Sequence, residues 1–266
     1  MKFLNIDIPV KNIPELDEGF VPLGLFFESY KKNATKAICI AVERSGGQIG
    51  TYETKIYGTA DMAAADEYYV DRLVKFLLWS WGGFKVTICG DDAVAQKIKA
   101  AYTDTGARAF DKGFMTDVYE TPFVVESVSY DKKPTAIQKT EAIGRHMGGC
   151  RIGFDAGGSD RKVSAVVDGE PIYSEEVVWF PKTTADPDYH YNGIVEAFKT
   201  AASKMPRVDA IGISSAGVYV DNKCMVASLF LKVNKDDFEK KVKNIYTRAA
   251  KEIGDVPVVV GHCNGH

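Results

Sequence analysis

"RIGFDAGGSDRKVSAVVDGEPIYSEEVVWF" occupies Arg151–Phe180, and its reading decides the second half of the chain. An apolar run ends on Asp155, Gly157, Gly158 and Ser159 follow, and strand-like alternation resumes at Val163 and again from Ile172. Aspartate, glycine and serine favour a hairpin turn for backbone reasons alone. A glycine turn between strands also leaves N–H groups unobstructed, and such a concavity can cradle phosphate oxygens. An aspartate there repels phosphate unless it holds a cation, so the chemical reading makes Asp155 a Mg2+ carboxylate. Ser159 then adds a hydroxyl and Lys162 a mobile cation.

Working outward, "CRIGFDAGG", "KVSAVVDG" and "PIYSEEVVWF" predict a three-stranded meander. "NGIVEAFKTAASKM" places Ile194, Val195, Phe198 and Ala201 on one helical face, ended before Pro206. "VDAIGISSAG" reads as a strand, and "NKDDFEKKVKNIYTRAAKEIG" as an amphipathic helix capped by Asn234 and closed at Gly254. "VPVVVG" is a last buried strand. This succession predicts a mixed sheet with helices packed on it.

The first half reads differently. "KAICIAVE", "RSGG" and "QIGTYETKIYG" predict a hairpin; Asp61–Trp81 predicts a helix capped by Asp61, with Tyr69, Val70, Leu73, Phe76 and Leu77 as its apolar stripe. "FKVTICG" is a strand feeding the helix "DDAVAQKIKAAY", whose aspartates suit capping. Thr103–Tyr119 reads as irregular, "PFVVESVSY" as a strand, and the polar run over 131–148 as the boundary between an α/β domain at 1–135 and a second domain at 148–266.

Composition limits the function classes. The chain has 266 residues, 45% hydrophobic and 26% charged, and a net charge of -3, which gives no basic field for nucleic acid or an anionic membrane. Its five cysteines form no CxxC pair, which suits a reduced cytoplasmic setting. The N-terminus carries no uninterrupted apolar run of a signal peptide. Small molecules are the expected partners, with self-association left open.

The segment Asp155-Ala156-Gly157-Gly158-Ser159, set in a meander followed by helix, strand, helix and strand, resembles the first phosphate motif of the actin, hexokinase and Hsp70 superfamily. Within it, the chain looks most like the ROK family of bacterial sugar kinases and related repressors, over about residues 150–260. The resemblance implies an RNase H-like lobe in which Asp155 organises Mg2+ while Gly157, Gly158, Ser159 and Lys162 face ATP. By position it implies Ser215, Gly217 and Asn222, in "AIGISSAGVYVDN", as sugar contacts. Two departures stand out. "GGSDRK" adds Asp160 and Arg161 to the family's shorter turn, and an extra carboxylate beside phosphate is repulsive unless Arg161 pairs with it.

After the last strand the family places an Asn-Asp pair whose aspartate is the general base, whereas this chain reads "GHCNGH". His262 is the weak substitute, its imidazole titrating in the right range. His262, Cys263 and His266 make a poor metal set. The resemblance also places a second lobe after this point, so the chain is expected to be a fragment, a degenerate relative, or one whose first half supplies that lobe. The expected function is ATP-dependent phosphoryl transfer to a sugar hydroxyl; the alternative is a sugar- or nucleotide-binding sensor without turnover.

Overall fold

The structure, a computed structural model, describes residues 1–139 and 148–262. The chain divides into two compact units, Met1–Glu141 and Ala142–His266. Each is a mixed α/β unit. Among the described residues no helix is long and apolar enough to cross a membrane.

In the first unit, β1 (Lys2–Phe3) and β2 (Ile6–Asp7) form a short hairpin through Leu4 and Asn5, both at positive φ. Helix α1 (Leu23–Lys31) follows Pro22 and buries Phe26 and Tyr30, one turn apart; it is absent from the sequence reading because no side chain caps it. Strands β3 (Lys36–Arg44) and β4 (Gln48–Ile56) make the expected hairpin, turning on Gly46 and Gly47 at positive φ. Helix α2 (Ala63–Trp81) starts two residues after Asp61, which does not cap it. Its buried stripe includes Tyr69, Val70, Leu73 and Leu77, whereas Phe76 falls outside it and is 64% exposed.

Strand β5 (Lys85–Cys89) leads into α3 (Asp92–Ala101), capped by Asp91, whose Oδ1 accepts from Val94 N–H at 2.9 Å. Helix α4 (Ala109–Tyr119) occupies a stretch expected to be irregular. Its Gly113 hides the pattern, and buried Asp111 fixes it by accepting from Lys75 Nζ and Trp79 Nε1, both at 2.7 Å. Strand β6 (Val124–Val128) completes a sheet of order β4-β3-β5-β6, in which only β5 and β6 run parallel.

The chain leaving β4 is pinned by Asp66 of α2. This carboxylate is 1% exposed and accepts from the backbone N–H of Tyr57 at 3.0 Å, that of Gly58 at 2.7 Å, and the Tyr30 hydroxyl. Tyr30 stacks on Tyr69 at 4.2 Å. A buried carboxylate is tolerated only when satisfied in this way.

In the second unit, β7 (Cys150–Ala156), β8 (Asp160–Val167) and β9 (Glu170–Val178) form the antiparallel meander. Helix α5 (Pro187–Ala202) begins five residues before the expected segment, at Asp186, whose Oδ1 accepts from Asp188 N–H at 2.9 Å. Its first turn contains buried His190, with ring nitrogens 3.0 Å from the Asp186 and Pro181 carbonyls. Strand β10 (Ala210–Ser215) is followed by a small hairpin not foreseen from sequence, β11 (Val218–Val220) and β12 (Lys223–Val226).

The next helical stretch is interrupted. Asn234 caps α6 (Lys235–Asp237), a π-helical turn spans Phe238–Val242, and α7 (Ile245–Lys251) continues to β13 (Val258–His262). The wide turn lets Val242, Ile245, Tyr246, Ala249 and Ala250 all reach the core. The sheet order is β13-β10-β7-β8-β9, with β10 parallel to both β7 and β13.

Asp66→Ala removes one acceptor from three donors, and we expect it to cost about 3 kcal/mol in urea unfolding of the full chain. A loss below about 1 kcal/mol would show that Asp66 is not the pin described.

Candidate polyphosphate site on the open sheet face

Strand β7 alternates strictly. Cys150, Ile152, Phe154 and Ala156 are buried, so Arg151, Gly153 and Asp155 lie on the opposite face. Strand register then assembles the site. Ser214 of β10, Asp155, Lys162 of β8 and Glu176 of β9 form one cross-strand row, with Gly261 of β13 beside Ser214. The next row is Gly212, Gly153, Ser164 and Ser174. With glycines adjacent in β7 and β10, the floor there lacks side chains. The result is a shallow groove of about 430 Å³ over the sheet, lined by Asp155, Lys162 and the three serines.

Among the described residues Asp155 carries neither a hydrogen bond nor an ion pair. Nor does any group of three or more His, Cys, Asp or Glu gather to hold a metal there. One carboxylate among hydroxyls does not make a protein cage for an ion. It does suit Mg2+, which keeps waters and binds through one or two carboxylates plus phosphate oxygens.

The turn itself is built otherwise than expected. Gly157 and Gly158 are not at positive φ; Gly157 is required for space, whereas beside Gly158 only the mobile end of Lys182 would have to shift. A Cβ on Gly157 would lie 2.6 Å from the Asp160 carbonyl oxygen, and one on Gly158 would lie 2.5 Å from Nζ of Lys182. Ser159 Oγ donates to Asp160 Oδ2 at 3.0 Å and Lys162 Nζ to Asp160 Oδ1 at 2.8 Å. Both groups expected to face phosphate therefore hold the turn's own carboxylate. Their hydrogen bonds, Lys162 first, keep Asp160 below the usual carboxylate range, and Asp160 in turn raises Lys162. Arg161 does not pair with Asp160; it binds Glu196 of α5 at 2.6 Å.

The residues after β10 are engaged within the protein. Ser215 is fully buried, and its Oγ accepts from the Tyr219 hydroxyl at 2.8 Å and the Tyr246 hydroxyl at 3.0 Å. Period two turns it inward, away from Ser214. Asn222, at φ 63°, donates to the Val258 carbonyl at 3.2 Å and accepts from Val260 N–H at 2.8 Å. Gly217, at φ 147°, has no room for a Cβ, which would sit 2.5 Å from the Val226 carbonyl oxygen. These residues hold the small hairpin and β13 in place. The backbone of His262 ends β13; its side chain, with Cys263 and His266, lies outside the described residues.

Sequence reading missed Ser164, Ser174 and Ser214, which only register brings beside Asp155, and Lys182, which reaches the turn from Pro181–Thr183. The strand alternation carried a signal for Ser164 alone, which stands two residues from Lys162 on the same strand.

No family model matches the chain, and no curated protein matches it. Solved structures give weak likenesses. A Listeria monocytogenes protein proposed to be an N-acetylmannosamine kinase is 22% identical over 42% of this chain and 35% of that one, with a TM-score of 0.31. A ROK family transcriptional regulator homologous to the E. coli MLC protein is 16% identical over 43% of this chain and 28% of that one, at 0.32. The Aquifex aeolicus PPX-GPPA enzyme is 10% identical over 85% and 92%, at 0.26. The chain spans about a third of the length of the first two. These scores assign neither family nor activity.

Asp160 competes internally for Ser159 and Lys162, and because its pKa is lowered the clamp stays closed at neutral pH and opens only as pH falls through that depressed value. Asp160→Asn should therefore bind pyrophosphate several-fold more tightly in calorimetry at pH 7; equal or weaker binding would place the anion elsewhere. Ser215→Ala removes the shared acceptor of the buried Tyr246 hydroxyl and the half-buried Tyr219 hydroxyl and should cost about 2 kcal/mol of stability without changing that affinity.

Proposed function

We propose that the second unit is an RNase H-like lobe of the actin, hexokinase and Hsp70 superfamily, a relative of the ROK proteins that binds a Mg2+-nucleotide on its open sheet face without turning it over. The observation that carries this reading is the row Ser214–Asp155–Lys162 above a glycine floor, where a carboxylate without a hydrogen bond stands between a hydroxyl and an ammonium. The meander followed by two parallel strands supports the fold half of the proposal.

In this reading the residues divide the work. Asp155 would hold Mg2+, which when bound neutralises phosphate charge. Lys162 and Lys182 supply cations at the two sides of the turn, while Gly153 and Gly212 let a ligand approach the strand backbone. Lys162 must leave Asp160 to act, so the turn opens as a nucleotide enters.

Binding rather than phosphoryl transfer is favoured by the commitments of Ser215 and Asn222. Their polar atoms are occupied by Tyr219, Tyr246 and β13, and so are not offered to a sugar hydroxyl. The thiols of Cys39, Cys89, Cys150 and Cys224 are free and buried, and burial pushes Cys89 and Cys224 up to about 12, which suits a reducing cytoplasm.

Thermal unfolding with Mg·ATP tests the proposal. A ligand at 100 times its Kd stabilises the fold it binds by about 2.7 kcal/mol. We expect a Mg2+-dependent rise in Tm that Asp155→Asn abolishes, with no ADP released over a panel of sugars. An unchanged Tm, or the same rise in Asp155→Asn, rejects the nucleotide site; ADP release stimulated by a sugar restores the kinase.

A further inference from the structure

Across the sheet of the first unit, one register row reads Glu53 of β4, Cys39 of β3, Cys89 of β5 and Val128 of β6. The two cysteines are direct partners in an antiparallel pair. Ile38, Ile40 and Val42 of β3, with Val86 and Ile88 of β5, pack into the hydrophobic core, so period two turns Cys39 and Cys89 together onto the opposite face. Both are nonetheless 0% exposed, and Tyr130 supplies the cover. A Cβ on Gly90, just past β5, would stand 3.3 Å from the Tyr130 Cβ, while the Tyr130 hydroxyl reaches Glu53 Oε2 at 3.2 Å, two strands away. The ring therefore crosses above the two thiols. Lys133 completes the cover: its Nζ donates to Glu53 Oε1 at 2.5 Å and lies 4.7 Å from the centroid of the Tyr130 ring.

Opposed residues of an antiparallel pair have Cα atoms about 4.5–5.5 Å apart, inside the roughly 4.4–6.8 Å that a disulfide spans. Each thiol also senses the other. Burial first pushes both up, Cys39 adds to the rise of Cys89, and Lys133 draws both down. A buried, protonated thiol is inert, so the cover sets the reactivity of the pair. That cover is lightly held. Its ion pair joins Lys133 and Glu53 side chains that are 35% and 60% exposed, and the turn Tyr130–Lys132 is closed by two local bonds, from Lys132 N–H to the Ser129 carbonyl and from Lys133 N–H to the Tyr130 carbonyl. Exposed ion pairs and segments with few contacts open at little cost. Strand β6 before the turn and the Ile49–Ile137 bridge after it tether the segment, so it can lift without leaving the sheet.

We propose that Cys39 and Cys89 form a reversible redox pair, closed to a disulfide by hydrogen peroxide when the cover held by Glu53 lifts. One thiol gives its proton to solvent, and its thiolate attacks a peroxide oxygen. The O–O bond breaks, leaving a sulfenic acid and a hydroxide that takes up the proton as water. The second sulfur then displaces the sulfenic hydroxyl, which leaves as another water with the second thiol's proton, and the S–S bond forms. The two thiols lose two electrons and two protons, and the peroxide is reduced to two waters. A dithiol reductant reopens the bond by exchange and becomes the disulfide itself. Where thiols are kept reduced, such a bond is transient and reports oxidant. The pair lies in the first unit and does not depend on the nucleotide reading.

The test treats the full chain, carrying Cys263→Ser so that the four buried cysteines remain, with hydrogen peroxide and counts free thiols after denaturation. We expect two of the four to be lost and then restored by dithiothreitol, with peptide mapping joining Cys39 to Cys89. Cys150 and Cys224, also buried but opposed in register by Val167 and Tyr219, should stay free. Glu53→Gln removes the charge that holds the cover and should speed formation of the link at least fivefold at an unchanged urea midpoint, whereas Cys89→Ser should give no linked peptide. The inference is overturned if peroxide leaves all four thiols free both with and without Glu53→Gln, if the linked peptides join other cysteines, if dithiothreitol does not restore the thiols, or if Glu53→Gln leaves the rate unchanged.

Discussion

The second unit depends on one constraint, the central position and strict alternation of β7. Hydrogen-bonded on both sides, this strand can send Cys150, Ile152, Phe154 and Ala156 into the core only by sending Gly153 and Asp155 to the other face. A slip of one residue would bury Asp155 and expose Phe154. Packing therefore fixes the orientation of the carboxylate, and the parallel strand β10 applies the same rule to its own pair. Ser214 points with Asp155, and its neighbour Ser215 belongs to the interior with the two tyrosine hydroxyls.

Charge around the turn is arranged in closed pairs. Lys162 answers Asp160 and Arg161 answers Glu196, so the two residues that lengthen the turn each bring a partner. The exposed Lys162–Asp160 pair contributes little to stability. The significance of both pairs lies in what they occupy: Asp160 sits where an external anion would find Ser159 and Lys162, and Glu196 engages Nη2 of Arg161 while Nη1 has no hydrogen-bond partner among the described residues.

Sequence patterns exposed the sheet-forming runs, the meander and the Asp91 and Asn234 caps, because period-two and period-3.6 hydrophobicity and capping chemistry are local properties. Helix α1 and helix α4 were not legible: one begins without a side-chain cap, and the other carries Gly113 and owes its anchoring to Lys75 and Trp79, far along the chain. Asp155 could be proposed from the turn chemistry, yet its neighbours in the groove come from three other strands. Ser215 and Asn222 were read as ligand contacts from position alone, and their hydrogen-bond partners were not legible for the same reason. A loop near a site suggests ligand contact, whereas their partners, Tyr246 and β13, lie some thirty residues or more away and are visible only in space.

Asn222 has a wider consequence. β13 is the last strand of its sheet, and a terminal strand exposes a ladder of unsatisfied peptide groups to which any extended polypeptide could add. By engaging both the Val258 carbonyl and the Val260 amide, this single carboxamide imitates a short stretch of neighbouring backbone and closes the ladder at that point. Addition of another strand is thereby disfavoured at that point of the β13 edge, by one side chain in place of a neighbouring strand.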